Sequence, residues 1–319
     1  MKILITGGLG YIGSHIAYKL GNKSIIIDDG SNNNLNFKKK LPYALVYKKK
    51  INYKNLSIIF NEHKIKYVMH LAGFKSVNES VNNPIKYYKN NIGTTIDVLN
   101  AMEKNKVENL LFSSSATVYD RGAISPLKEN TKLDTNNPYG LTKLINEKII
   151  TEYSNTQRNF KSICLRYFNP IGKNPKINLS DQPKGEPQNL MPLLIKSILN
   201  KKTFTIFGDD YETHDGTCIR DYIHVEDLAN SHIESLRLFK NIKKNIAINI
   251  GTGIGTSVLD LIRTFEKVNN IKIDYKIGKK RKGDVAICYA DIKLSQKILK
   301  WKPKYNLEKM CEHAWAPYK

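Results

Sequence analysis

Acidic residues are scarce: 29 Asp and Glu stand against 51 Lys and Arg, a formal net charge of +22 at pH 7 over 319 residues. Such an imbalance invites a nucleic-acid reading, and Lys38-Lys40, Lys48-Lys50 and the run from Lys279 to Lys282 are where one would look. Yet 44 of the 51 basic residues are lysine and no aromatics interleave with the clusters as a base-stacking platform requires. The excess therefore reads as a solvated surface, nucleic acid is not expected as a partner, and the field steers dianionic small molecules toward a cleft. Cysteines are also few. Cys164, Cys218, Cys288 and Cys311 are widely spaced without a Cys-x-x-Cys pair, which disfavours both zinc and a disulfide framework. No metal site is expected, and the reducing cytoplasm is the expected compartment. Long apolar runs are missing too: stretches such as Ile25-Ile26-Ile27 fall far below the roughly 18 residues of a membrane span, and the chain opens on the strand-like Lys2–Thr6 with no visible signal peptide or anchor. With 41% hydrophobic and 25% charged residues, disorder is excluded for the bulk of the chain.

What is present is alternation. Strand-like runs at Ile3–Thr6, Ser24–Asp28, Tyr67–Ala72, Asn109–Ser114 and Ser162–Arg166 are separated by helical patterns. Val81 to Lys104, for example, carries Ile85, Tyr88, Ile92, Ile96, Leu99 and Met102 at steps of three and four. The fold class implied is α/β, a doubly wound parallel sheet with helices on both faces. After Arg166 the texture changes to a turn-rich stretch with Asn169-Pro170, Pro175, Pro183 and Pro187. Two domains are expected: residues 1–168 binding a dinucleotide, and residues 169–319 forming a smaller α/β unit that binds substrate.

Directly after the first strand comes Thr6-Gly7-Gly8-Leu9-Gly10-Tyr11-Ile12-Gly13, and a helical run begins there. Glycines at 7, 10 and 13 let the turn tighten and the backbone approach a pyrophosphate, which the free N–H groups of the helix N-terminus then bind. The second strand ends in Asp28-Asp29, where a carboxylate accepts both ribose hydroxyls and repels a 2′-phosphate; no Lys or Arg stands beside it, so NAD is favoured over NADP.

Tyr139 and Lys143 lie one helical turn apart behind Pro138, a helix-start residue. The same spacing recurs at Tyr275/Lys279 and Tyr289/Lys293, so spacing alone selects nothing. Context does: Tyr139 lies downstream of Ser113-Ser114-Ser115, the end of a buried strand, where open α/β sheets do chemistry. A neighbouring ammonium favours the phenolate, and the expectation is a phenol pKa lowered toward neutrality and a usable general base.

Seven motifs now stand in order: the glycine turn, Leu71-Ala-Gly-x-Lys75, Phe112-Ser-Ser-Ser-Ala-Thr-Val-Tyr119, Pro138-Tyr-Gly-x-x-Lys143, Arg166-Tyr-Phe-Asn-Pro170, Asn189-Leu-Met-Pro192 and Arg220-Asp-Tyr-Ile-His-Val225. In this order and spacing the chain resembles, from end to end, the UDP-glucose 4-epimerase family of the extended short-chain dehydrogenases/reductases. The resemblance implies a C4 epimerisation of UDP-galactose and UDP-glucose through a 4-keto sugar with tightly held NAD, in a homodimer built on helices near Val81–Lys104 and Pro138–Tyr153. It implies Tyr139 as base, Lys143 on the nicotinamide ribose and Ser115 on the reacting oxygen. Gly7, Gly10, Tyr11, Ile12, Gly13, Asp28, Asn32, Leu71, Ala72, Lys75, Asn90, Ser113 and Tyr167 would hold NAD with Tyr139 and Lys143. Asn169, Asn189, Leu190, Phe207, Arg220, Arg281, Asp284 and Cys288 would hold the UDP-sugar with Ser115 and Tyr139, the two arginines on the diphosphate.

Two departures from the family stand out. Lys50-Ile51 replaces a frequent Asp-Ile pair near the adenine, and Asp120 replaces a glycine after Val118-Tyr119. The rival within the superfamily, a nucleotide-sugar 4,6-dehydratase, places an Asp-Glu pair where this chain has Ala116 and Thr117, neither a general acid. Where the family walls off the sugar's C2 side with a tyrosine, this chain has Cys288, and UDP-GlcNAc and UDP-GalNAc become expected additional substrates. Tyr289 next door should point to the opposite side of its strand.

Overall fold

In the computed structural model, which describes residues 1–31, 35–135, 137–181, 183–281 and 283–319, strands that read as unbroken apolar runs lie where neither face meets water. The first half alternates β1 (Lys2–Thr6), α1 (Tyr11–Leu20), β2 (Ser24–Ile27), β3 (Leu45–Tyr47), α2 (Tyr53–Glu62) and β4 (Ile65–His70). It continues through α3 (Val77–Asn82), α4 (Pro84–Tyr87), α5 (Gly93–Lys104), β5 (Asn109–Ser115), α6 (Pro138–Thr156) and β6 (Lys161–Tyr167). The second half carries β7 (Asn169–Ile171), α7 (Leu190–Leu199), β8 (Phe204–Phe207), β9 (Ile219–Arg220), β10 (Tyr222–His224), α8 (Val225–Leu238) and β11 (Asn245–Ile250). It closes with β12 (Thr256–Ser257), α9 (Val258–Asn269), β13 (Tyr275–Gly278), β14 (Ile287–Cys288), α10 (Lys293–Leu299) and α11 (Leu307–Trp315).

Seven parallel strands form the main sheet in the order β3-β2-β1-β4-β5-β6-β11, so the winding reverses between β1 and β4. Alternate residues feed two cores: Ile3, Ile5, Ile26 and Met69 pack toward α1 and α8, whereas Leu4, Ile25, Val68 and Phe112 pack toward α2, α5 and α6. This is the doubly wound arrangement expected, and its crevice lies at the strands' carboxyl ends beside the reversal. No helix among the described residues is long and apolar enough to cross a membrane.

Two features differ from expectation. The division at 168/169 falls between β6 and β7, but the chain crosses back. β11 pairs with β6 from Asn245↔Ser162 to Ile250↔Tyr167, and Leu228, Leu238 and Trp301 join the core of the first half. The apolar alternation of Asn245-Ile-Ala-Ile-Asn-Ile250 covers what would otherwise be a bare edge beside β6. A third core, of Leu194, Ile206, Tyr222, Phe265, Met310 and Trp315, belongs to the second half alone. The helix expected across 81–104 is also divided: α3 ends before Asn83, and a π-type turn at Tyr88–Ile92 joins α4 to α5. One extra residue in a turn rotates the downstream helix by about 100°. Downstream of the turn Val98 and Met102 are buried and Ile96 is 43% exposed; upstream of it Tyr87 is buried and Ile85 is 73% exposed.

Candidate active site

The glycine turn is shaped by close approach. Gly7 has φ +70° and lies so near Ala72 that a Cβ would meet its backbone at 2.9 Å, and a Cβ on Gly13 would fall 2.5 Å from the Gly7 carbonyl. Gly10 N–H donates to that carbonyl (3.0 Å), and α1 starts immediately with its N–H groups facing the crevice. At the end of β2 the buried Asp28 carboxylate accepts from Leu9 N–H (3.0 Å) and Gly30 N–H (2.8 Å), which fixes it beside the turn.

A buried polar relay ties the sheet reversal to the helices. The Thr6 hydroxyl meets His70 Nδ1 at 2.7 Å, His70 Nε2 meets Thr95 Oγ1 at 3.0 Å, and the Thr95 hydroxyl donates to the Asn91 carbonyl. Because that hydroxyl is spent as a donor, His70 carries its proton on Nε2. Burial lowers the His70 pKa to about 3, so the ring is neutral. Asn91 continues the relay to the Phe74 backbone (2.8 and 3.0 Å) and to Thr142 on α6 (3.0 Å). The π-type turn that presents Asn90 to the crevice is thus anchored on both sides.

Across the reversal, α6 is capped by Asn137, whose side chain accepts from Gly140 N–H (2.8 Å). One turn in, Lys143 is buried, donates to the Ser113 carbonyl at 2.7 Å and stands 5.0 Å over the Phe112 ring. Burial lowers its pKa to about 8, with Glu147 opposing. Tyr139 is hydrogen-bonded to Ser115, whose Oγ also receives the Thr117 backbone N–H (3.2 Å) and hydroxyl (3.0 Å). The expected depression of the Tyr139 pKa is corrected: desolvation raises it above 10, and the opposing influence is the Ser115 hydrogen bond. The ammonium of Lys143 is turned toward the Ser113 carbonyl, so burial of the phenol outweighs it. Ser113 Oγ in turn bonds Tyr167 OH.

These groups share one cleft of about 640 Å³. Gly7, Gly10, Tyr11, Ile12, Gly13, Asp28, Leu71, Ala72, Lys75, Asn90, Ser113, Ser115, Tyr139, Lys143 and Tyr167 line it, as do Asn169, Asn189 and Leu190 from the second half of the chain. Asn32 lies outside the described residues. Phe207, Arg220, Arg281, Asp284 and Cys288 are absent from the described lining and gather in a second group. Arg281 Nε lies 2.8 Å from Asp284, Arg220 lies 4.0 Å from it, and the Arg281 guanidinium stands 5.0 Å over the Phe207 ring. Cys288 is held beside Arg220 by β14–β9 register and packs toward Val118 and Tyr119; Tyr289 turns instead toward Gly255, as strand alternation requires. Of the departures, Lys50 lines the cleft, whereas Asp120 faces Lys132 (2.9 Å) and caps its own turn through Gly122 N–H (3.0 Å). Sequence reasoning missed Thr117 as a support for Ser115, and it missed Asp181, which lines the cleft with Lys75 and Asn189. The only sequence signal for Thr117 is its adjacency to the serine run.

A glycine turn at a sheet reversal, a carboxylate ending β2 and a Ser/Tyr/Lys set ending β5 together define a dinucleotide-dependent protein of the doubly wound class. Residues 3–251 match the NAD dependent epimerase/dehydratase family, and the chain belongs to it. It is 40% identical to the UDP-glucose 4-epimerase of Haemophilus influenzae over 99% of this chain and 96% of that protein. The UDP-glucose-4-epimerase of Stenotrophomonas maltophila, solved with NAD and formylated UDP-arabinopyranose, superposes with a TM-score of 0.95 at 36% identity, covering 99% of this chain and 97% of the other. The Bifidobacterium longum UDP-glucose 4-epimerase, solved with NAD+ and UDP, gives 0.93 at 36% identity over 100% and 99%.

Proposed function

We propose that the protein interconverts UDP-galactose and UDP-glucose by inverting C4, with NAD held in the cleft. The observation that carries this reading is the convergence of Ser115, Tyr139 and Lys143 on the cleft that also holds the glycine turn and Asp28. The residues fit the cofactor: the contacts at Gly7 and Gly13 leave no room for side chains where a pyrophosphate would pass, and Asp28 suits a ribose without a 2′-phosphate. When bound, NAD supplies an acceptor for hydride from the sugar's C4 and returns it. Tyr139 takes the proton from the C4 hydroxyl and gives it back, and Ser115, steadied by Thr117, orients that oxygen. Lys143 holds a positive charge behind the phenol and donates toward the ribose. Asn169, Asn189 and Leu190 face the sugar nucleotide, and Arg220 and Arg281 supply charge for its diphosphate. Ala116 and Thr117 offer no acid for elimination at C6, which disfavours the dehydratase alternative.

We further assign a homodimer seated on the apolar residues Val81, Ile85 and Ile96, which are 59%, 73% and 43% exposed, and a cytoplasmic location. Purified protein incubated with UDP-galactose, without and then with added NAD, is expected to form UDP-glucose until the two equilibrate. No UDP-glucose in either arm overturns the reading.

The sugar's C2 side is where substrate range widens. Cys288 is small, and Tyr289 is turned away, so we propose that N-acetyl sugars are accepted as well. Turnover of UDP-GlcNAc is expected in the native protein and is expected to fall at least tenfold in Cys288→Tyr, with UDP-glucose turnover kept within about threefold. No epimerisation of the N-acetyl sugar by the native protein, or an unchanged preference in the variant, retires this extension alone.

A further inference from the structure

Between β7 and α7 the chain runs through a long segment that is tied by polar contacts to the dinucleotide side of the cleft. The Tyr11 hydroxyl donates to the Gly172 carbonyl at 2.5 Å, Lys184 Nζ donates to the Gly30 carbonyl at 2.7 Å, and the Asn78 side chain donates to Gln188 Oε1 at 3.3 Å. Asp181 differs from these in what it touches. Its carboxylate lies 3.3 Å from Lys75 Nζ through one oxygen and 3.4 Å from Asn189 Nδ2 through the other. Lys75 follows β4 on the cofactor side, and Asn189 stands at the N-cap position of α7, its side chain making no capping bond. All three line the same cleft, and the Asp181 side chain is only 11% exposed. Asp181 also lines a neighbouring cavity of about 320 Å³, so it forms part of the partition between the two spaces.

We propose that Asp181 is a positioning residue that couples the two halves of the cleft, a role that rests on the epimerase reading above. One carboxylate orients both the ammonium that serves the cofactor and the carboxamide that serves the sugar nucleotide. Any ligand that orders Asn189 therefore also orders Lys75, and the converse holds. An exposed surface ion pair is worth little; here Lys75 is 42% exposed, but the carboxylate is 11% exposed and holds a second donor, the Asn189 carboxamide. By linkage, a UDP moiety that binds at Asn189 raises the affinity for NAD, and NAD raises the affinity for UDP by the same factor; the tighter NAD is then expected to leave more slowly. Retention of the cofactor then becomes tightest when the sugar site is filled, which is when loss of a reduced cofactor would abort a cycle.

The test is the rate at which labelled NAD leaves the full-length protein during a chase with unlabelled NAD, measured with and without saturating UDP. In the native protein UDP is expected to slow that loss at least fivefold. In Asp181→Asn and in Lys75→Met the slowing is expected to fall to less than twofold, and the double variant should be no worse than the more affected single. Asp181→Glu should restore the slowing to within twofold of native. A merely structural aspartate would lower thermal stability without erasing the UDP effect. Retained slowing in Asp181→Asn, or losses that add in the double variant, overturns the proposal. A native protein that fails to epimerise UDP-galactose yet shows the Asp181-dependent slowing would overturn the epimerase reading and leave the coupling standing.

Discussion

Replacing Tyr139 by Phe is expected to cut kcat by about 10²–10⁴, or about 3–5 kcal/mol of transition-state stabilisation, with KM for the UDP-sugar and the content of bound NAD unchanged. The separation of chemistry from binding rests on what the hydroxyl touches. Its partner is Ser115, which keeps both of its Thr117 contacts when the phenol is removed. The backbone N–H of residue 139 keeps its bond to Ser80 Oγ (3.1 Å), and the α6 cap at Asn137 is untouched. The fold therefore has no reason to move. The raised pKa of Tyr139 sets the sign of the pH profile: the native rate climbs with pH as the phenolate fraction grows, and the Lys143 ammonium, with a pKa of about 8, is lost before that climb is complete. In Tyr139→Phe the climbing limb should be gone. Steady-state kinetics and calorimetric titration with UDP check both halves. More than about a tenth of native kcat would show that the proton is taken elsewhere.

The parts of this site that were legible from the residues are those whose chemistry is written in short spacing. Gly7, Gly10 and Gly13 behind a strand, Asp28 at the next strand's end, and Tyr139 four residues before Lys143 each occupy one local turn, and each arrives in the cleft. What local spacing does not carry is pairing at long range. The return of β11 to the edge of β6 joins residues about 80 positions apart, and only the finished sheet reveals that β6 needs a neighbour. The Asp181 contacts span 106 positions to Lys75 and cross between the two halves of the chain. The π-type turn was hidden for a different reason: the apolar positions of Val81 to Lys104 fit an ordinary helix, and the rotation by one residue shows only in which of them are covered. The direction of the Tyr139 shift was missed because sequence displays the neighbouring charge but not the desolvation, and desolvation is the larger.

The second large effect concerns stability. Replacing Arg166 by Met is expected to cost about 3–5 kcal/mol, a large share of the roughly 5–15 kcal/mol that holds a typical protein folded. Arg166 leaves β6 and reaches Glu147 on α6 through Nε (2.9 and 3.2 Å) and a terminal nitrogen (2.6 Å), while both side chains stay below a tenth exposed. Its other nitrogen donates to the Glu129 carbonyl (2.9 Å) and to Tyr119 OH (3.2 Å), so one guanidinium pins three segments beside the Ser113–Ser115 strand end. Without it, Glu147 keeps the Ser114 hydroxyl but becomes a buried charge that has lost its Arg166 ion pair. The loss should show as a fall in Tm on the order of 10 °C. Removing both charges, in Arg166→Met with Glu147→Leu, should recover more than half of the lost stability, since a buried pair is costly chiefly when one partner is stranded. A single variant within about 1 kcal/mol of native, or a double variant less stable than the single, would mean that the stranded carboxylate is not what governs this junction of β6 and α6.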